Sequence, residues 1–156
     1  MRITVDLKSA KRGLRALPDA VVRNVDRKLE RGAAEVAREA KVRAPKAFSN
    51  LTNSIMSDRI GVMRYRVQEN VRHGHPVEFG SRPHGVDSTK LIPWVELVTG
   101  ARGKEARDKA FLIARSIAMR GTKAQPYMGP TADVMGGRVN ELALEGVRDG
   151  VREAFA

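Results

Sequence analysis

The chain has 156 residues, a formal charge of +11 and no cysteine. That length suits a single domain, 1–156, burying roughly two-thirds of its unfolded surface, and the missing cysteines exclude disulfides, thiolate metal sites and cysteine nucleophiles. Hydrophobic residues make up 42% and aromatics 4%, so the core rests on Val, Leu, Ile, Ala and Met, and no apolar run approaches the ~20 residues a membrane-spanning helix needs.

Ile3, Val5 and Leu7 alternate with polar neighbours, as a half-buried edge or hairpin strand does. The same stretch lacks the apolar core of a signal peptide, so export by that route is not expected, and folding in the cytosol is the default for a cysteine-free chain. Ser9 caps a predicted short helix over residues 10–16, broken at Pro18 and Asp19. Val22, Val25, Leu29, Ala33, Val36 and Ala40 then recur at three- and four-residue intervals and predict a long helix. Asp19 suits its N-terminus, and Ala44-Pro45 ends it, because the residue before proline resists helical geometry. Residues 45–54 read as a loop, with a helical turn near Leu51-Thr52-Asn53-Ser54-Ile55. From Ile55 to Val71 the period becomes two. Ile60 and Val62, then Tyr65, Val67 and Val71, predict two strands meeting near Gly61 as a hairpin.

Two segments obey neither period. One runs His75-Pro76-Val77-Glu78-Phe79-Gly80-Ser81-Arg82-Pro83, the other Gly121-Thr122-Lys123-Ala124-Gln125-Pro126-Tyr127-Met128-Gly129-Pro130. Each sets an aromatic beside Gly and Pro, which reads as a loop of fixed shape built for contact. Between them, a polar loop passes through Gly85, Pro93 opens a short helix holding Trp94 as a core anchor, and residues 99–103 form a flexible basic loop. A helix follows from about Lys104 to Arg120, with Ala106, Ala110, Ile113 and Ile117 on one face and Gly121 as its stop. A last helix starts at Pro130 and carries Val134, Val139, Leu142, Val147, Val151 and Phe155. Gly136, Gly137, Gly146 and Gly150 each weaken it by about 1 kcal/mol relative to Ala. They imply either a closely approaching helix or a frayed tail. The fold class is therefore α+β, a small antiparallel sheet packed by a long N-terminal helix and C-terminal helices.

His73, His75 and His84 with Glu78 are the one constellation suited to catalysis. A His-x-His pair on a strand would share a face, with Glu78 as ligand or ring orienter. Against this stand the surrounding Gly74, Pro76 and Pro83, which suit surface histidines in a loop, and the lack of a HExxH motif. No catalytic residue, cofactor or metal is assigned. The basic balance, with Arg outnumbering Lys about two to one, favours nucleic acid or an acidic protein surface. Its Glu-interleaved spread along the long helix equally suits a solvated face. Arg82 beside Pro83, and Arg102 in its glycine loop, are candidate interface arginines for bidentate carboxylate contacts. Phe79 and Tyr127 are candidate anchors, to the fold's own sheet or to a neighbouring subunit.

At these segments the chain resembles the tail-completion, or head–tail joining, family of long-tailed bacteriophages. The phrases that carry the resemblance are Ala40-Lys41-Val42-Arg43-Ala44-Pro45, Leu51-Thr52-Asn53-Ser54-Ile55, Val77-Glu78-Phe79-Gly80-Ser81, with Ser for the usual Thr, and Gln125-Pro126-Tyr127-Met128-Gly129-Pro130-Thr131, with Thr for the usual Ala. His73-Gly74-His75-Pro76 departs from the Tyr-Ala pair usual before the third phrase. The resemblance implies a structural virion protein and not an enzyme, closing into a homo-oligomeric ring, often sixfold, at the neck or the head-proximal end of the tail. Its implied partners are other neck, connector and tail-tube proteins, with non-specific contact to DNA passing through the ring and no membrane. Its implied location is the virion, with assembly in the host cytoplasm. Glu78, Phe79, Arg82, Pro83, Arg102, Gln125, Pro126, Tyr127 and Met128 are the candidate subunit or partner contacts. The alternatives are a non-specific nucleic-acid-binding protein and a histidine-dependent nuclease or metalloenzyme.

Overall fold

The apolar stripe of the N-terminal half folds as helix α1 (Asp19–Arg43). The computed structural model describes residues 2–6, 19–46 and 49–154, so the helix expected over 10–16 and the position of Phe155 lie outside the described residues. Val21, Val25, Leu29, Ala33, Val36, Ala37 and Ala40 form the buried side of α1. The apolar spacing predicts Val22 there. Val21 is the buried residue, and the true stripe is one position out of phase at its start.

That side of α1 covers a three-stranded antiparallel sheet of β1 (Arg2–Asp6), β2 (Ile55–Gly61) and β3 (Arg64–Glu69), in the order β1-β3-β2. A short helix, α2 (Ser49–Ser54), leads directly into β2. Alternation puts Tyr65 and Val67 of β3 against α1, with Ile55 of β2 and Met63 of the hairpin turn. The turn at Val62 and Met63 is tight: Met63 has φ 53°, in the left-handed region that few non-glycine residues adopt. Asp26 of α1 holds it there. Its Oδ1 accepts the Met63 N–H at 2.8 Å and its Oδ2 accepts from Arg59 at 2.7 Å. The strand expected to reach Val71 stops at Glu69, and Val71 lies in a bend, half-buried against the same core.

A six-residue helix, α3 (Gly74–Phe79), replaces the first half of the loop expected over 75–83. Beyond it a 3-10 turn (Ser88–Leu91), α4 (Ile92–Thr99) and α5 (Gly103–Arg120) build a second hydrophobic cluster of their own. Val95, Ala101, Ala106 and Ala110 are its buried centre, with Trp94 and Ile113 packed against it. Pro93 sits at the start of α4, where its missing N–H costs nothing.

The last helix, α6 (Met128–Ala154), begins two residues earlier than Pro130 and runs along α1. Its core side is Val139, Leu142 and Ala143, whereas Val134 and Val151, expected in that stripe, are exposed. Glycine supplies what apolar side chains do not. A Cβ on Gly146 would meet the Val25 backbone at 2.7 Å, and one on Gly150 would collide with Val21. The two axes approach closely because those positions carry no side chain. A polar seam flanks the contact: Asn24 Nδ2 donates to Glu153 at 2.6 Å, Lys28 pairs with Glu145 at 3.0 Å and Asp149 at 3.1 Å, and Arg138 pairs with Glu35 at 3.3 Å. No described helix is long and apolar enough to cross a membrane.

Candidate interface site

The two non-periodic segments meet each other. Glu78, in the last turn of α3, is 3% exposed and points at the start of α6. Its Oε2 accepts the backbone N–H groups of Tyr127 at 2.7 Å and Met128 at 2.9 Å, and its Oε1 accepts that of Gly129 at 2.9 Å. The first N–H groups of any helix lack partners inside the helix. A carboxylate brought to them from 49 residues away in sequence satisfies three at once and complements the positive end of the helix dipole. Thr131 adds a further bond, its hydroxyl donating to Tyr127 O at 2.6 Å.

The join continues on either side of Glu78. Gln125 N–H donates to Val77 O at 2.8 Å. Ser81 and Thr122 exchange backbone bonds at 3.1 and 3.2 Å, and the Thr122 hydroxyl donates to Ser81 Oγ at 2.9 Å. Gly80 and Gly121 frame this bridge at φ 76° and 74°. A Cβ at Gly80 would lie 2.6 Å from Thr122 O, and one at Gly121 would overlap Ser81 O. Both the left-handed backbone and the close approach require glycine there. The serine that stands where the family pattern has threonine supplies the side-chain half of the bridge.

Tyr127 and Met128 are fully buried and join the main core with α1 and the sheet. Burial raises the Tyr127 phenol above its ordinary range, with Glu69 and Glu78 adding to the effect. Of the two aromatics, then, Tyr127 anchors the fold. Phe79 points outward, 56% exposed, with the His75 ring tilted against it at 4.8 Å. Arg82, Pro83, Gln125 and Pro126 are exposed around the same join. Arg102 is elsewhere, at the start of α5, its guanidinium 3.8 Å from Glu96. The candidate contacts thus separate into a buried set (Glu78, Tyr127, Met128) spent within the subunit and an exposed set available to a partner.

The histidines do not form the strand pair that a shared ligand face required. His73 precedes α3, His75 lies within it beside Phe79, and His84 Nδ1 faces Arg82 O at 2.8 Å. Both oxygens of Glu78 are taken by backbone N–H groups. Among the described residues no cluster of three or more His, Asp or Glu is arranged to hold a metal ion.

No local pattern in the sequence marks the Ser81–Thr122 bridge, the Thr131 bond or the Asp26 clamp. One signal for Glu78 was present: it is the sole acidic residue between 70 and 86, set between Val77 and Phe79. A lone carboxylate in an apolar, otherwise basic setting calls for a buried donor.

Residues 8–80 match the family model described as "Bacteriophage HK97-gp10, putative tail-component". The match ends inside the first segment, at Gly80, and it includes the first two of the four phrases whole and the third, that of Glu78, up to Gly80. No curated protein and no solved structure gives a significant match. Over its N-terminal half the chain therefore carries the signature of a bacteriophage tail-component family, and that is the family it resembles.

Proposed function

We infer that the protein is a structural subunit of a long-tailed phage particle. It closes into a ring, sixfold in the reading favoured here, at the neck or the head-proximal end of the tail, where it joins tail to head. The observation that carries this reading is the tail-component match over residues 8–80. The join between the two segments supports a structural role, because the carboxylate that a catalytic reading would need is consumed in capping α6. Copies of the chain, together with connector and tail-tube proteins, are its partners, and the particle is its destination after assembly in the host cytoplasm. Electron microscopy of assembled particles tests this: a ring of this chain at the head–tail junction is expected. Absence from particles, or heads and tails that still join when the protein is lost, would contradict it.

The charge of +11 favours an additional contact, non-specific and electrostatic, with DNA passing through the ring. The logarithm of the affinity for duplex DNA then falls steeply and linearly with log salt, as phosphate neutralisation requires. Salt-independent or absent binding removes the DNA contact and leaves the ring reading standing.

A further inference from the structure

Two helix faces are left uncovered by the described residues. On α5 the side opposite Ala106, Ala110 and Ala114 carries Leu112 and Met119, 61% and 65% exposed, with Asp108 and Arg115 at the intervening turns. On α6 the side opposite Val139 and Leu142 carries Leu144, 58% exposed, with Gly137, Glu141 and Arg148 on the same face. Large apolar side chains interleaved with single charges of both signs suit a protein partner better than a phosphate backbone or a lipid surface.

The two faces complement each other when laid antiparallel. Stepping along α5 by 108, 112, 115, 119 and back along α6 by 148, 144, 141, 137 keeps equal intervals of four, three and four. In that register Asp108 faces Arg148, Leu112 faces Leu144, Arg115 faces Glu141, and Met119 lies over Gly137. Among the described residues no hydrogen bond or ion pair takes up Asp108, Arg115 or Arg148, and Glu141 has a single long bond to Arg138 at 3.3 Å. Gly137 has nothing within 4 Å of where its Cβ would be, so the close packing that explains Gly146 and Gly150 does not explain it. A glycine there costs the helix about 1 kcal/mol, and it lets a large side chain from a neighbour lie directly on the α6 backbone. The register also sets Lys104 near Arg152, at a solvent end where salt screens the repulsion.

Within one chain α5 packs on α4 and the 3-10 turn while α6 packs on α1, so both faces point away from their own subunit. We propose that the outer face of α5 on one copy docks antiparallel on the outer face of α6 on the next. Because one patch meets a different patch, the contact is heterologous and propagates around a ring. This inference rests on the ring reading and names the surfaces that would make the ring.

The chain's lack of cysteine gives a clean test. Leu112→Cys and Leu144→Cys are made singly and together, and mild oxidation is applied to the purified full chain and to assembled particles. The double variant is expected to give a ladder of covalently linked copies up to the ring number. Each single variant stays unlinked, and a mixture of the two singles gives dimers. Arg115→Glu and Glu141→Arg each weaken assembly by about tenfold or more, and combining them restores it. All four positions are exposed, so the melting temperature of the separated subunit reports whether folding is intact. Wild-type copies that assemble while the cysteine pair never links, or a charge exchange that fails to rescue, would overturn the surfaces and leave the ring reading in place. Linkage that stops at a reciprocal dimer supports the surfaces and overturns the ring. Copies that never associate, free or in particles, overturn both.

Discussion

Glu78 joins the two halves of the chain directly. Its carboxylate ties α3 to the first turn of α6 through three backbone N–H groups in a site closed to solvent. Glu78→Gln keeps the shape but replaces one acceptor oxygen with an NH2 group that opposes an N–H. The expected cost is about 1–3 kcal/mol, the penalty of a buried unmatched donor, read by urea denaturation. An unchanged midpoint would show that water or the helix itself satisfies these groups. The sequence made the importance of this segment legible, but not its partner. Phe79 and Tyr127 look alike as aromatics bracketed by Gly and Pro, yet one is exposed and the other fully buried. What separates them is a contact across 49 residues, and no local period encodes that.

At the level of elements, α1 was legible because its apolar side chains mark its buried face. The phase of α6 was not, because part of its buried face is written in glycine. Gly146 and Gly150 belong to the contact with α1, while Val134 and Val151 face away from it. A reading that counts apolar side chains registers the valines and misses the spaces. The glycines along α6 therefore differ in what substitution does. Gly150→Ala forces α1 and α6 apart and lowers stability by about 1–3 kcal/mol, the usual cost of overpacking. Gly136→Ala, with nothing within 4 Å of its Cβ position, raises stability by about 0.4–1 kcal/mol by restricting the unfolded chain. Thermal melts of the two variants should move in opposite directions, and a matching shift would contradict the packing described.

The polar seam beside that contact makes the helix pair sensitive to acid. Hydrogen bonds from Asn24 and then Arg23 lower the Glu153 carboxyl below its ordinary value of 4.5, and Arg31, then Arg138, lower that of Glu35 against an opposing effect of burial. A group with a depressed folded value stabilises the fold above its unfolded value, and that contribution is lost as pH falls through the folded value. The contribution of these two carboxyls should therefore be level above about pH 4.5 and decline below it. Glu153→Gln should flatten part of that decline in a series of melts from pH 6 to pH 2.5. An unaltered pH profile in the variant would remove Glu153 from this account.

At the scale of the molecule, the chain has a main core of α1, α6 and the sheet, and a second cluster of α4, α5 and the 3-10 turn, with the Ser81–Thr122 bridge closing the ends of the segment that carries it. The α+β class and the order of the long helices and the strands were legible from periodicity, whereas the six-residue α3 was not. The apolar face of α5 and the anchoring role of Trp94 were legible too, but not that they form a cluster apart from the main core, because the burial of the small Ala101, Ala106 and Ala110 depends on Val95 and Trp94 arriving from another helix. The family match covers the N-terminal half and stops at Gly80, so the second cluster and α6 lie beyond it. Those elements also present the exposed apolar faces, which is where a subunit that works only in an assembly would keep its contacts.

The most direct test of that account is electron microscopy of intact particles at a resolution that traces the chain. The account predicts a closed ring of this chain at the head–tail junction, each subunit retaining Glu78 on the first turn of α6 and setting α5 against α6 of its neighbour. Particles that lack the chain, or that hold it as an isolated copy with both helix faces open to solvent, would contradict it.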